Sequence, residues 1–145
     1  LYVGADIIHA TDGATFDAQI GVAGPTYRSS GYLGGQSRIN STSGTSVCGA
    51  MTAYFAINQT GSGAGSGANE GTVAFRMEIG NNPANSGTKT TGIIQATNLD
   101  TGGYYDVCTH GGKYNTAEAN TAINFEMSSG DITSGTIDQF KRARS

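Results

Sequence analysis

The side chains that could perform acid–base or nucleophilic chemistry are few and widely spaced in this chain. Its two histidines, His9 and His110, lie on separate predicted strands, and no serine stands in the Gly-x-Ser-x-Gly turn that exposes a nucleophile. Glu78 and Glu126 alternate with apolar residues, and a glycosidase would need such a pair flanking a cleft. Carboxylates in this pattern are more often solvated residues of a sheet face. The sequence therefore predicts a protein without enzymatic activity.

Aspartates next to turn residues are the groups that could bind a hard cation such as Ca²⁺. Carboxylates and carbonyls suit this ion, so Asp12 with Asp17, or Asp100 with Asp106, could contribute ligands. The patterned Asp-x-Asp-x-Asp-Gly loop and the Gly-Gly-x-Gly-x-Asp repeat are both absent from the sequence. Turn formation accounts for the aspartates that precede glycine. We expect no metal ion and no other cofactor.

The two cysteines, Cys48 and Cys108, fit no metal-ligand spacing. They could form one disulfide in an oxidising compartment, or each could be a small buried side chain. The sequence does not identify the compartment, so both interpretations stay open.

Tyrosine is the side chain suited to binding that the chain contains in quantity. There are seven tyrosines and no tryptophan. A tyrosine ring offers a flat apolar face and a hydroxyl group at low entropic cost, which suits contacts with sugars and proteins. Packing across strands would use some of these rings instead. Tyrosines flank two polar segments, one at Arg28 and one at 106–113. The candidate binding residues are Tyr27, Arg28, Tyr32, Tyr104, Tyr105 and Tyr114.

Strands must position these side chains, because apolar and polar residues alternate along much of the chain. The alternation is clearest in 16–22, 72–80 and 122–128, which predicts strands with one buried face. Weaker strand patterns occupy 2–10, 46–59, 90–97, 104–110 and 135–142. A short helical turn is expected around 116–120. Glycine pairs, including Gly34-Gly35 and Gly111-Gly112, are expected to form turns between strands.

About eight strands at this spacing predict an all-β fold, an antiparallel two-sheet sandwich with jelly-roll-like connections. The length of 145 residues suits one domain spanning 1–145. A Gly/Ser-rich segment at 60–71 predicts a flexible hairpin loop at one end of the sandwich. That loop either serves binding or assembly or is simply a mobile part of the surface.

Charge composition and the length of the apolar runs together exclude two classes of function. Eight Lys and Arg against eleven Asp and Glu give a net charge of -3, and only 13 % of residues are charged. A nucleic-acid-binding domain would show a basic face, so we expect no nucleic-acid partner. No apolar run is long enough to predict a membrane span.

Three stretches resemble a known family. Residues 6–16 read Asp-Ile-Ile-His-Ala-Thr-Asp-Gly-Ala-Thr-Phe, residues 26–32 read Thr-Tyr-Arg-Ser-Ser-Gly-Tyr, and residues 123–137 read Ile-Asn-Phe-Glu-Met-Ser-Ser-Gly-Asp-Ile-Thr-Ser-Gly-Thr-Ile. In this order they resemble small virion structural proteins and fibre-end domains of tailed bacteriophages. The sequence after 137 departs from the family, which usually ends in a Leu-Tyr-Gly-like strand; here the chain ends in a basic segment.

The resemblance implies a surface-exposed sandwich domain of a virion, on a tail fibre, a tail tip or the capsid as a decoration. It implies other virion proteins as partners, a homo-oligomer with a trimer favoured, and attachment to the host surface through a cell-surface glycan. It carries over no catalytic residue. The same composition would suit a secreted, extracellular carbohydrate-binding module, which is the alternative hypothesis.

Overall fold

The computed structural model describes residues 1–22, 26–41, 46–58, 72–80 and 89–141, with only the backbone described for 46–49. The described residues form an all-β fold of eleven strands. These are β1 (Tyr2–His9), β2 (Phe16–Val22), β3 (Thr26–Tyr27), β4 (Tyr32–Asn40), β5 (Ser46–Met51), β6 (Phe55–Ala56), β7 (Val73–Gly80), β8 (Thr90–Leu99), β9 (Tyr105–Tyr114), β10 (Asn120–Met127) and β11 (Ile132–Gln139).

The strands form two antiparallel sheets, which confirms the predicted fold class and is consistent with a β-sandwich. The larger sheet has seven strands in the order β11-β1-β7-β8-β9-β4-β5. The smaller sheet has the order β10-β2-β3, and β6 also pairs with β2. In the larger sheet, β7, β8 and β9 are consecutive in both sequence and space, so short-range connections build its centre.

Side-chain alternation explains why these segments form strands with one buried face. Along β8 every second residue from Thr90 to Asn98 is buried. Its inward Ile94 and Ala96 lie opposite Met77 and Phe75 of β7. Successive strand residues point to opposite faces, so a period of two turns one apolar set towards the other sheet.

Aromatic rings fill the space between the sheets. The Phe16 ring packs edge-on against Phe75 at 5.5 Å between centroids, and Tyr32 packs against Phe55 at 5.1 Å. The Phe75 ring also covers Gly4, where any Cβ atom would overlap it. Glycine at position 4 is therefore required by close packing.

The strand number differs from the prediction of about eight. Segment 46–59 contains two short strands, β5 and β6, and not one long strand. The expected helical turn around 116–120 is absent, since this segment is irregular up to the start of β10.

The glycine pairs explain why β4 was not predicted and why β9 is longer than predicted. Gly34 and Gly35 were expected to form a turn, but they lie inside β4, opposite Gly112 and Gly111 of β9. A Cβ atom at Gly34 would lie 2.6 Å from the Gly111 carbonyl oxygen. Glycine here allows two backbones to approach closely, which is a second use of the residue besides turns.

Two predictions fall on residues without a described structure. The Gly/Ser-rich segment 60–71 lies outside the described residues. Cys48 lies in the part of β5, residues 46–49, whose side chains are not described, so the Cys48–Cys108 disulfide stays a prediction. No helix in the described ranges has the length and apolar composition that crossing a membrane requires.

Candidate functional site

The six candidate binding residues do not form one site. Tyr105 is the first residue of β9 and Tyr114 is the last, which places them about 30 Å apart along the strand. Tyr32 lies opposite Tyr114, and Tyr104 directly precedes Tyr105. The structure therefore divides the tyrosines between two ends of the molecule.

At the Tyr114 end the rings of Tyr32 and Tyr114 are buried. The Tyr32 hydroxyl accepts a hydrogen bond from the Ile20 N–H at 2.7 Å and donates to the Arg28 carbonyl at 3.0 Å. Burial raises the pKa of Tyr32 to about 12. This ring and its hydroxyl act inside the protein and are not exposed for a ligand.

Arg28 and Tyr114 converge on Glu118. The Arg28 guanidinium donates to both Glu118 carboxylate oxygens, at 3.0 and 2.8 Å. The Tyr114 hydroxyl donates to the same carboxylate at 2.5 Å. Hydrogen bonds from Arg28 and then Tyr114 lower the pKa of Glu118. The group Arg28, Tyr32, Tyr114 and Glu118, which we call the tyrosine network, ties the segment before β4 to the segment after β9. Tyr27 is exposed beside it, with its ring over Gly21.

At the other end of β9, Tyr104 and Tyr105 are exposed. They follow a turn that the Asp100 side chain holds: one carboxylate oxygen accepts the N–H groups of Gly102 at 2.9 Å and Tyr104 at 3.0 Å. Gly103 has a φ of +74°, a conformation that favours glycine. Residues 100–105, which we call the aromatic turn, thus present two tyrosine rings from a fixed backbone.

A buried ionic cluster lies beneath the aromatic turn. Arg38 donates to Asp106 at 2.7 Å and lies 3.4 Å from Asp100. Asn40 donates to Asp106 at 2.8 Å and to Asp100 at 3.2 Å. Because the Asp100 side chain bonds both this cluster and the turn, the cluster fixes the turn to β4 and β9. We call Arg38, Asn40, Asp100 and Asp106 the ionic cluster.

Further polar side chains lie in the interior on β8 and β9, and one of them, Asn98, is opposite Asp106 of the ionic cluster. Both amide atoms of Asn98, both ring nitrogens of His110 and one carboxylate oxygen of Asp106 are buried with no hydrogen-bond partner among the described residues. Burial lowers the pKa of His110 to about 4. Sequence reasoning missed this group. Its signal is present in the sequence: the three residues take inward positions, where β8 and β9 otherwise carry mostly apolar side chains.

The two glutamates considered for catalysis do not share a cleft. Glu78 is exposed on the outer face of the seven-stranded sheet, 2.6 Å from Arg76. Glu126 is on β10 of the other sheet, where it accepts a hydrogen bond from Asn124 at 2.8 Å. Each carboxylate has a partner on its own strand.

The aspartates considered for Ca²⁺ also bond within the protein. Asp100 and Asp106 share Arg38, as described above. Asp17 is buried, accepts a hydrogen bond from Thr15 at 3.2 Å, and has a pKa raised to about 7, chiefly by burial. Among the described residues, no three His, Cys, Asp or Glu side chains come together as a metal site would require.

A small cleft lies where Gln36, Met51 and Tyr54 meet. Its volume is about 200 Å³, which is below the range of roughly 300–1,000 Å³ typical of small-molecule sites. The exposed surfaces are therefore the candidate contact regions.

Comparison with protein-family models, with curated proteins and with solved structures finds no significant match to this chain. The function is therefore argued from the geometry above.

Proposed function

We propose that this chain is a non-enzymatic β-sandwich domain on the surface of a bacteriophage particle and that its aromatic turn contacts the host surface. The domain could lie on a tail fibre, on a tail tip or on the capsid as a decoration. In each place a contact domain requires a rigid framework and a projecting contact region, and it needs no catalytic centre.

The observation that carries the proposal is the distance between the aromatic turn and the paired ends of the described chain. Leu1 and Phe140 exchange backbone hydrogen bonds of 3.0 and 2.7 Å, so the two ends of the described chain are adjacent. Tyr2, next to Leu1, is level with His110, near the middle of β9, across β7, β8 and β9. Tyr105 lies five residues from His110 along β9, about 17 Å away. A domain held at Leu1 and Phe140 would therefore leave the aromatic turn clear of that contact.

The use of the charged side chains also supports a structural role. Those at the two ends of β9 connect segments distant in sequence, as Arg28 does with Glu118 and Arg38 with Asp100. Such contacts fix loops to strands. The resemblance of 6–16, 26–32 and 123–137 to virion proteins adds the particle as the setting.

Labelling of particles tests the location. Antibodies raised against residues 1–145 should decorate the phage that encodes this chain in electron micrographs, and an amber mutation in its gene should abolish the label. Particles of wild-type phage that are unlabelled, and from which the chain is absent by mass spectrometry, would refute the proposal.

Adsorption tests the contact region. Phage carrying Tyr104→Ala and Tyr105→Ala together should adsorb to host cells at least about tenfold more slowly, because exposed aromatic rings dominate many interfaces. Tyr27→Ala removes an exposed ring elsewhere and should leave adsorption unchanged. Equal adsorption by all three phages would reject the aromatic turn as the contact region.

The second candidate is a secreted carbohydrate-binding module, favoured by the same two exposed rings on a rigid turn. In that case the isolated domain should bind a glycan on an array, and Tyr104→Ala or Tyr105→Ala should remove the signal. Binding without any presence in particles would favour this candidate over the virion domain.

A further inference from the structure

The outer face of the seven-stranded sheet carries large exposed apolar side chains on one half. Ile39 on β4 and Val107 on β9 are directly opposite each other, and each is 54 % exposed. Ile93 on β8 is 61 % exposed. Ile39 and Val107 form a short apolar ridge that water covers poorly. Ile93 lies four residues further along the strands, opposite Gly111.

Beside this ridge the same face is low at one end of β7 and β1. Following the row of Ile39 and Val107 across the sheet, the next residues are Thr97 on β8 and Ala74 on β7. A shallow trough of about 550 Å³ runs here from β1 across β7 and β8 to β9, and its lining includes Val3, Ala5, Ala74, Thr97 and Val107 of the ridge. The face therefore has a ridge at Val107 and Ile39 and a trough beside it, while the long side chains of Arg76 and Glu78 project further along β7.

We propose that this face binds the same face of a second copy of the chain, related by a twofold axis that runs along β8. Such an axis exchanges β9 with β7 and β4 with β1. It sets Val107 of one copy over Ala74 of the other and Ile39 over Ala5. The ridge of each copy then fills the trough of the other, as inner faces interdigitate in packed sheets. The pairing does not depend on the proposed function.

The outward residues in the other rows across the sheet are also compatible with this axis. Arg76 and Glu78, which pair with each other at 2.6 Å, would lie over Thr109 and Gly111 of the other copy. The two long side chains thus meet small residues, and a Cβ atom at Gly111 would have no atom within 4 Å in its own chain. Ile93 would meet its own counterpart at the axis.

Charge and area favour a second copy as the partner. A twofold axis brings each charge near its own counterpart, and β8 carries no charged residue. Five strands over about six residues give a face of roughly 500 Å² per copy, from the usual strand spacing and rise. Two such faces reach about 1,000 Å², where specific interfaces begin. A contact of this size is weak, so we expect dissociation in the micromolar range.

Sedimentation measures the proposal directly. Between about 1 and about 200 µM the wild-type chain should change from monomer to dimer. Val107→Lys places a charge on the ridge and should raise the dissociation constant at least about tenfold. Phe140→Lys is the matched control, because Phe140 is 53 % exposed but directly follows β11, which is not one of the five strands of the proposed face. It should leave the dissociation constant unchanged.

Gly111→Lys provides a second variant whose folding is protected. Since a Cβ atom there meets nothing in its own chain, the variant should fold with an unchanged circular dichroism spectrum and still fail to pair. A wild-type chain that is monomeric throughout, or a dimer that tolerates both Val107→Lys and Gly111→Lys, would overturn the proposal.

Cross-linking tests the position of the axis. In a Cys48→Ala background, Ile93→Cys should yield a covalent dimer with a short bis-maleimide that spans the ~10 Å between packed sheets. Leu33→Cys, 50 % exposed on the same face, lies two strands from the axis, so its copies would be about 20 Å apart. It should yield little dimer. Equal yields, or the trimer that the family resemblance favours, would overturn the twofold arrangement.

Discussion

The two ends of β9 bury polar groups in opposite ways. In the tyrosine network the Tyr32 hydroxyl bonds the backbone of Ile20 and Arg28, and Glu118 accepts from both Arg28 and Tyr114. At the ionic cluster, by contrast, Asp106 is fully buried and one of its carboxylate oxygens has no partner among the described residues. One end satisfies its buried groups, and the other end does not.

The difference shows how each end constrains its tyrosines. The tyrosine network uses its hydroxyls as internal cross-links, so its rings are withdrawn from solvent. At the other end Asp100 and Asp106 share Arg38, and the second oxygen of Asp100 holds the aromatic turn. There charged groups hold the backbone and leave Tyr104 and Tyr105 exposed. Unsatisfied buried polar groups lower the stability of the fold. They are common at sites that are kept for function.

The largest effect is expected from removing one charge of the ionic cluster. Asp106→Ala removes the 2.7 Å partner of Arg38 and leaves Asp100, at 3.4 Å, as its carboxylate partner. Loss of one member of a buried pair typically costs about 3–5 kcal/mol, and because Asp100 remains we expect the lower end of this range, about 3 kcal/mol, for the free energy of unfolding. Denaturation in guanidinium chloride measures it.

Arg76→Ala is the control for this prediction, because it breaks an equally close pair that is exposed. Its cost should stay below about 1 kcal/mol. If Asp106→Ala costs no more than Arg76→Ala, the ionic cluster does not hold this end together.

The next effect is a dependence on pH. Burial lowers the pKa of His110 to about 4, from an ordinary value of 6.5, so the unfolded chain takes up a proton that the folded chain excludes. Because of His110, the free energy of unfolding of the wild type therefore falls as the pH drops from about 6.5 to about 4. His110→Met removes this loss. Its advantage over wild type should grow by about 2–3 kcal/mol across that window.

Asp17→Asn should show the opposite dependence of stability on pH. The pKa of Asp17 is raised from 3.8 to about 7, so its contribution is present at low pH and is lost as the pH rises through that window. The advantage of Asp17→Asn should therefore grow towards neutral pH. Denaturation curves for both variants between pH 4 and pH 8 measure the two trends. Parallel curves for His110→Met and wild type would show that His110 is solvated.

A smaller effect is expected in the tyrosine network. Tyr32→Phe removes the hydroxyl that accepts from the buried Ile20 N–H, and an unsatisfied buried donor costs about 1–3 kcal/mol. Tyr27→Phe changes an exposed ring and should cost almost nothing. Urea denaturation of the two variants decides the matter. Equal stabilities would mean that water replaces the lost hydroxyl and that this end is open.

The sequence predicted the strands whose faces differ in polarity. β2, β7 and β10 alternate apolar and polar residues, so the period identifies them without tertiary information. β4 was missed because Gly34 and Gly35 resemble a turn until β9 supplies Gly111 and Gly112 opposite them. That pairing joins segments far apart in the chain, and no local pattern reports it.

The candidate binding residues show the same limit. Tyrosine, as a residue type, suits both burial and exposure, and only the register of β4 with β9 places Tyr32 opposite Tyr114. Asn98 and His110 could have been noticed, because they occupy inward positions in strands. Their lack of partners depends on the packing of both sheets, which the sequence does not display.

The smallest effect on stability is expected from removing the two tyrosine rings of the aromatic turn. Tyr104 and Tyr105 are exposed, and their backbone contacts do not involve the rings: the Tyr105 N–H donates to Ser41 at 3.0 Å. Tyr104→Ala and Tyr105→Ala should each change the free energy of unfolding by less than about 0.5 kcal/mol, as surface substitutions usually do. Asp100→Ala should cost about 1–3 kcal/mol, since it leaves two backbone N–H groups of the turn without their acceptor. Thermal and chemical denaturation of the three variants separates the rings from the backbone that carries them. A loss above about 1 kcal/mol for Tyr105→Ala would mean that the ring packs against the sheet, and the two ends of β9 would then use their tyrosines alike.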